Sequence, residues 1–469
     1  MKGKNILTDQ TDLFRSRLDQ MVNMRHEMII LSHELDWDWI DVELAGCYSR
    51  EGRPSIPVRT MVGMLLLKQM FNQSDETVIQ RWIENPYWQY FTGEEFFQHK
   101  APFDPSDFVH FRKRVGEEGM EKVLSLTVRL HQGSEKEEEV MVDTTVQEKN
   151  ITFPTDSKLA YKIIKYCWDY AEMFGIGLRQ SYRFVVKGLR LKMHNGKHPM
   201  RRREALKAQK KLRGIAGRLV RELQRKMPPE AFADYGGSLA LFEEVLAQTR
   251  TTKDKRYSLH EPDVWCIAKG KAHKPYEFGS KVSVARTSDS GVIVGMKSFT
   301  GNPYDGDTLK DVLDQVERVR AAAGGTRPER AIADSRYKGR PIVGTTQILT
   351  PGKGTKGQTA YEKKKQRERF RKRAGIEPVI GHLKSDHRMA RNFLAGALGD
   401  AINCLLAGSA FNLMMRLRMI RASFYSFLRR MHAIWMQEID LLCAEMAEII
   451  EVANVQRAFG FRRLVCAAR

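Results

Sequence analysis

The chain has 469 residues, more than one ordinary domain holds, and its 42% hydrophobic and 29% charged residues exclude a disordered or fibrous class. Its formal net charge of +21 is concentrated: residues 179–226 hold 17 Lys and Arg against two acids, and residues 353–373 hold ten against two. The rest of the chain is therefore close to neutral, which favours a docking surface for a polyanion, nucleic acid first, over solubility alone or two merely solvated helices.

The opening residues MKGKNILTDQTDLF have no long apolar core, so no secretory signal is expected. Residues 1–133 read as a helical domain for DNA-end binding or dimerisation. VRTMVGMLLLKQMF is a strongly apolar helix started by Pro57, and Ser74 caps the next one, SDETVIQRWIENPYWQYF. Trp82, Trp88 and Tyr90 fall at helical spacing there, a pattern of core residues more often than of base stacking. A third helix begins at Pro105, with Phe108 and Phe111 beside Arg112, Lys113 and Arg114, and either binds DNA through its basic end or serves packing.

SEKEEE is an acidic linker into the strand VMVDTTVQ (140–147). A helical block over about 158–250 carries the first basic segment; Leu212, Ile215, Leu219, Leu223 and Met227 form its apolar face and leave the opposite face basic. Strands return at 264–269, 277–287 and 291–300, the last two a hairpin turned at Ser288–Gly291. An amphipathic helix (307–324) ends at Gly324, followed by strands at 329–334 and 341–349, a Gly/Lys-rich loop at 351–358 and a long basic helix from about Tyr361. The apolar stretch 393–415 is interrupted by Asp400, Asn403 and Asn412, so it reads as a buried core helix rather than a membrane span. Six scattered cysteines show no C-x-x-C spacing, which fits a reducing compartment and neither a disulfide scaffold nor a zinc site.

Three acids stand in settings that suit a metal: Asp143 and Asp334 at the ends of apolar strand runs, and Glu377 in the basic helix. Mg²⁺ prefers oxygen ligands, and a pair of ions about 3.5–4 Å apart clamps both oxygens of an in-line phosphoryl transfer. Phe370, Arg373, Glu377 and Lys384 project onto one helix face, where Arg373 and Lys384 bracket Glu377 and reach phosphate; plain Arg373–Glu377 pairing is the alternative. Pro378 is expected to kink the helix at Glu377. The strand–helix order is that of an α/β ribonuclease H-like core, whose first and fourth strands lie side by side and bring Asp143 to Asp334.

The segments VDTTVQEKNITFPTDSKL, GNPYDGDTL, ADSRYKG and F-x2-R-x3-E-x6-K resemble, in the family's order, the DDE transposases of bacterial insertion sequences, in the branch with a Tyr-Arg-Glu-Lys signature. The resemblance covers roughly residues 15–418. It implies that Asp143, Asp334 and Glu377 are catalytic ligands of two Mg²⁺ ions, with Mn²⁺ a possible substitute, and that Arg373 and Lys384 contact DNA beside the cleaved phosphate. Two positions depart from the family: Phe370 replaces the signature Tyr, leaving only stacking or packing, and Asp307 stands where a His is common. The resemblance further implies a cytoplasmic, nucleoid-associated enzyme that cuts terminal inverted repeats of double-stranded DNA and joins them to target DNA as a homodimer, without a membrane. Arg201, Arg202, Arg203, Lys210 and Lys211 are the candidates for phosphate contacts in the first basic block. The expected organisation is residues 1–133, a catalytic domain over 134–420 with its helical insertion, and a helical tail over 421–469. A ribonuclease H-like nuclease that cuts without joining, and an inactive transposase-derived DNA-binding protein, are the competing readings.

Overall fold

A computed structural model describes residues 16–49, 51, 55–194, 196, 198–268, 274–351, 359–423, 429–432 and 435–437. The expected loop at 351–358 and the expected helical tail over 421–469 lie largely outside them. Among the described residues seven α-helices come first: Leu18–Met21 (α1), Glu27–Glu34 (α2), Trp37–Glu43 (α3), Val58–Met70 (α4), Asp75–Glu84 (α5), Pro86–Phe91 (α6) and Pro105–Arg129 (α7). Local chemistry explains their starts. Ser74 and Thr77 form a reciprocal capping box on α5, and Asp104 and Asp107 do the same on α7. Trp82 is fully buried with its Nε1 donating to Thr92 Oγ1 at 2.7 Å, and Trp88 stacks on Phe71, so these rings are core.

Strand β1 (Glu139–Glu148) is followed by four helices, Asp156–Met173 (α8), Arg183–Met193 (α9), Pro199–Lys226 (α10) and Pro229–Ala247 (α11). Then come β2 (Trp265–Ala268), β3 (Tyr276–Thr287), β4 (Ile293–Phe299), α12 (Leu309–Ala321), β5 (Arg330–Ile332), β6 (Ile342–Val343) and β7 (Thr346–Leu349). The sheet runs β2-β3-β1-β5-β7-β6, and β4 pairs with β3 alongside β2. β3 lies antiparallel to β1 over nearly its whole length, whereas β1, β5 and β7 are mutually parallel. At Gly279 a Cβ would lie 1.9 Å from the Gln147 carbonyl oxygen, so glycine is what lets β3 approach β1 there. The segment 341–349 is not one strand. Gly344, at φ +61°, turns it into the β6–β7 hairpin, a turn hidden in an apolar run.

The last helices are Ala360–Arg373 (α13), Ile376–Ser385 (α14) and Gly396–Ser423 (α15). The break falls at Ala374–Gly375, upstream of the expected kink at Glu377. Pro378 is accommodated in the first turn of α14, where a missing N–H costs no helical bond. α15 is long and apolar enough to cross a membrane, yet 83% of its apolar window is buried in the fold. The polar residues that interrupt it are its attachments. Asn412 bonds both the N–H and the carbonyl of Ile293 on β4, Asn403 donates to Gln147 Oε1 at 2.8 Å, and Asp400 lies 3.1 Å from Lys149 Nζ.

Two large hydrophobic cores result among the described residues. One joins residues of α4, α5 and α7 to β3, β4, α12 and α15, so the N-terminal helices and the sheet share an interior. The other is built by α8–α11 with Leu259 from the segment that follows, and Leu212, Ile215, Leu219, Leu223 and Met227 are buried inside it as their spacing predicts.

Candidate active site

A third, small apolar cluster builds the site. Met141 on β1 and Ile332 on β5 are register partners, and Ile376, in the first turn of α14, is buried against them with Phe370 and Ile380 alongside. Side chains alternate along a strand, so Asp143 shares the face of Met141. The β1–β5 pairing ends at Met141↔Ile332, and Asp143 and Asp334 each lie two residues further on. They therefore stand where two parallel strands diverge at their carboxyl ends, the place where α/β sheets open to a ligand. Asp143 is not at the end of its own strand as expected, because β1 continues against β3, where it pairs with Val284. Asp334 lies just past β5 and caps the short turn Ser335–Tyr337 through the Ser335 N–H at 2.6 Å.

The two aspartates meet on one cation. Arg373, the last residue of α13, places Nη1 3.4 Å from Asp143 Oδ2 and Nη2 3.5 Å from Asp334 Oδ1. Arg369 to Glu139 (2.7 Å) and Lys372 to Asp289 (2.6 Å) tie α13 to the sheet, and Arg286 Nη1 donates to the Gly375 carbonyl at 3.0 Å. Burial is the largest influence on the Asp143 carboxyl and raises it above the ordinary aspartate value. The Thr144 N–H and Arg373 pull it down, while Asp334 and Asp305 push it up.

Glu377 is not brought into this pair. It is exposed in the first turn of α14, and among the described residues no three His, Cys, Asp or Glu side chains cluster closely enough to hold an ion. Lys384 does not bracket it either; its Nζ lies 3.8 Å from Glu277 Oε1 on β3. Phe370 packs into the apolar cluster, a role that needs no hydroxyl. The donor set still suits a hard divalent cation. Asp143 and Asp334 offer only oxygen ligands, and both already converge on a positive group. Arg201, Arg202, Arg203, Lys210 and Lys211 are all exposed on α10. Arg112, by contrast, is buried and paired with Asp75 at 2.8 Å, which removes it from any surface.

Sequence reasoning passed over the layer behind Asp143. Thr144 donates its N–H to Asp143 Oδ1 at 2.8 Å and its hydroxyl to Asp305 Oδ1 at 2.9 Å. Asp305 is held in turn by the nearly buried Lys281 at 2.9 Å. Tyr337, 1% exposed, has its hydroxyl pushed well above the usual tyrosine range, first by burial and then by Asp143 and Asp305. The signal was present in GNPYDGDTL and ADSRYKG, but only the fold shows that Asp305 and Tyr337 face Asp143. Asp307, the departure noted above, forms an ion pair with Arg340.

Comparison with known proteins bears on the family. A family model described as "Transposase domain (DUF772)" matches residues 16–114, and one described as "Transposase DDE domain" matches residues 246–411. The chain is 43% identical over 192 residues to the "Uncharacterized protein ORF8 in nfe locus" of Rhizobium meliloti, a match covering 40% of this chain and 93% of that protein. Among solved structures, the piggyBac transposase synaptic complex with hairpin DNA aligns over 87% of this chain and 78% of its own, at 8% identity. Its TM-score of 0.31 is too low to bear on the fold or the site. The chain belongs to the DDE transposases.

Proposed function

We propose that this transposase cleaves the ends of an insertion sequence and transfers the freed 3′ ends to target DNA in a ribonuclease H-like core. The observation that carries the reading is the convergence of Asp143 and Asp334, far apart in sequence, on one cation at the diverging ends of β1 and β5. The sheet order, with an antiparallel β4-β3-β1 half and a parallel β1-β5-β7 half, supports the ribonuclease H-like assignment.

In this reading Asp143 and Asp334 would hold two Mg²⁺ ions, with Mn²⁺ as a substitute, and Glu377, exposed at the start of α14, would complete the set by turning its side chain towards them. Bound ions would activate the attacking oxygen and stabilise the leaving oxygen of each displacement. The chain's own part is placement. Met141, Ile332 and Ile376 fix the three acid-bearing backbones against one another. Thr144, anchored by Asp305, orients the Asp143 carboxylate, and Arg373 and Lys384 supply positive charge for DNA phosphates. The exposed cations of α10, Arg201, Arg202, Arg203, Lys210 and Lys211, hold double-stranded DNA independently of sequence. The N-terminal helices read the terminal repeats, and two chains synapse the two ends as a homodimer in the bacterial cytoplasm.

Incubating the full chain with Mg²⁺ and a labelled element end tests this. Joined products are expected, with Asp143→Asn and Asp334→Asn each at least about a thousandfold slower, since metal ligation carries several kcal/mol of the charge stabilisation. Cutting without joining leaves a nuclease. Binding without cutting, or full cleavage by Asp143→Asn, removes the proposal.

A further inference from the structure

Arg373 was expected to face DNA, and it lies instead between the two aspartates. We propose that Arg373 is the internal counter-ion of the DNA-free site, and that it must leave the aspartate pair before a divalent cation takes its place. The inference rests on the metal-binding reading of Asp143 and Asp334 given above.

Two observations carry it. First, two carboxylates stand side by side where β1 and β5 diverge, and like charges brought together call for a cation between them. A guanidinium offers a fork with one nitrogen for each, the geometry seen here at 3.4 and 3.5 Å. Both contacts are long for charge-assisted hydrogen bonds, so the pairing is loose enough to be exchanged. Second, the main chain around Arg373 is pinned. Arg369 and Lys372 bind the sheet before it, and Arg286 holds the Gly375 carbonyl after it. Release therefore proceeds by rotation of the long side chain, with the helix left in place. A side chain that swings out from a backbone held in this way would stay beside the site, where a DNA phosphate is an alternative anionic partner.

The consequence is a coupling. Without DNA, Arg373 competes with a cation for Asp143 and Asp334, and cation affinity is reduced. When a phosphate engages Arg373, the aspartates are freed. By linkage, a bound cation then tightens DNA binding by the same factor. The site is thereby charged most fully when DNA is in place.

The test uses the full chain and two readouts that do not involve turnover. Mn²⁺ binding without DNA is measured for wild type, Arg373→Ala and Arg373→Lys, with circular dichroism to confirm folding. Arg373→Ala should bind Mn²⁺ about tenfold tighter than wild type, in the range typical of coupled sites. Arg373→Lys, which keeps the charge but lacks the fork, should fall between them, so it tests the idea even if the alanine variant is poorly folded. DNA affinity, measured by anisotropy in Mn²⁺ and in EDTA, should show a wild-type Mn²⁺ enhancement that Arg373→Ala loses. Equal or weaker Mn²⁺ binding by both variants, or an undiminished enhancement, overturns the proposal. Asp143→Asn separates the two readings. If it binds Mn²⁺ as wild type does, the metal assignment fails and this proposal fails with it. If it loses Mn²⁺ while the Arg373 variants match wild type, only the counter-ion role fails.

Discussion

The N-terminal helices and the helical insertion are both all-α, yet they relate to the sheet in opposite ways. The N-terminal helices bury their apolar faces in the same interior as β3, β4, α12 and α15. Two of their cations are consumed internally: the buried Lys68 and Arg112 flank Asp75 at 2.7 and 2.8 Å. The insertion closes a core of its own and turns Arg201, Arg202, Arg203, Lys210 and Lys211 to the outside. Cations inside a shared core serve stability, while cations on a separately folded surface are available to a polyanion. The distinction is one of burial, since both regions are rich in Lys and Arg.

The largest effect that tests this contrast is a core truncation in each region. Leu66→Ala and Leu219→Ala remove side chains that are both fully buried. Each should cost about 3 kcal/mol, within the usual range for such cavities. In hydrogen exchange the Leu66 variant should lose protection in β1 and β3 as well as in α4, whereas the Leu219 variant should lose it only in α8–α11. Loosening of the sheet by Leu219→Ala would mean that the two cores are one cooperative unit.

A smaller effect concerns Asp75, which its partners hold at about 2 against an ordinary value of 3.8 despite its burial. A carboxyl depressed in the folded state contributes stability above its unfolded value and loses it as pH falls through the folded value. Asp75→Asn should therefore cost about 2 kcal/mol at neutral pH. The gap from wild type in denaturant titrations should narrow as pH drops from near 4 towards 2. Lys68, pushed down to about 8 by burial, titrates well outside that window. A gap that does not narrow would show that Asp75 acts through shape and not through charge.

Smallest is the loss of two exposed cations. Lys210→Ala combined with Lys211→Ala should weaken DNA binding evenly across sequences and lower the salt-dependence slope by about two. Melting behaviour should hardly change. An unaltered slope would remove this face of α10 from the DNA surface and break the comparison on its functional side.

Much of the fold was legible because it rests on local patterns. The apolar stripe of α10, the cap at Ser74, the hairpin between β3 and β4 and the Gly324 stop all follow from spacing and turn chemistry. The β6–β7 hairpin was missed because Gly344 sits in an otherwise strand-like run. The α13–α14 break was placed at Glu377 because Pro378 is the strong local signal, yet a proline early in a helix is harmless. In the candidate site, the adjacency of Asp143 and Asp334 followed from strand order. The partnership of Arg373 with both aspartates, the Asp305–Thr144 support and the pairing of Lys384 with Glu277 did not, since each joins side chains from elements with no sequence relation.

The amino-acid sequence by itself determined the element types, the separate helical insertion, the two basic blocks and the identity of the acids, because periodicity, capping and charge are written in neighbouring residues. Tertiary packing alone decided which of those charges are exposed, which are neutralised inside the fold, and that Arg373 rather than Glu377 stands between Asp143 and Asp334. Those outcomes depend on distances between side chains carried by different strands and helices, and such distances exist only once the sheet and the helix laid against it have come together.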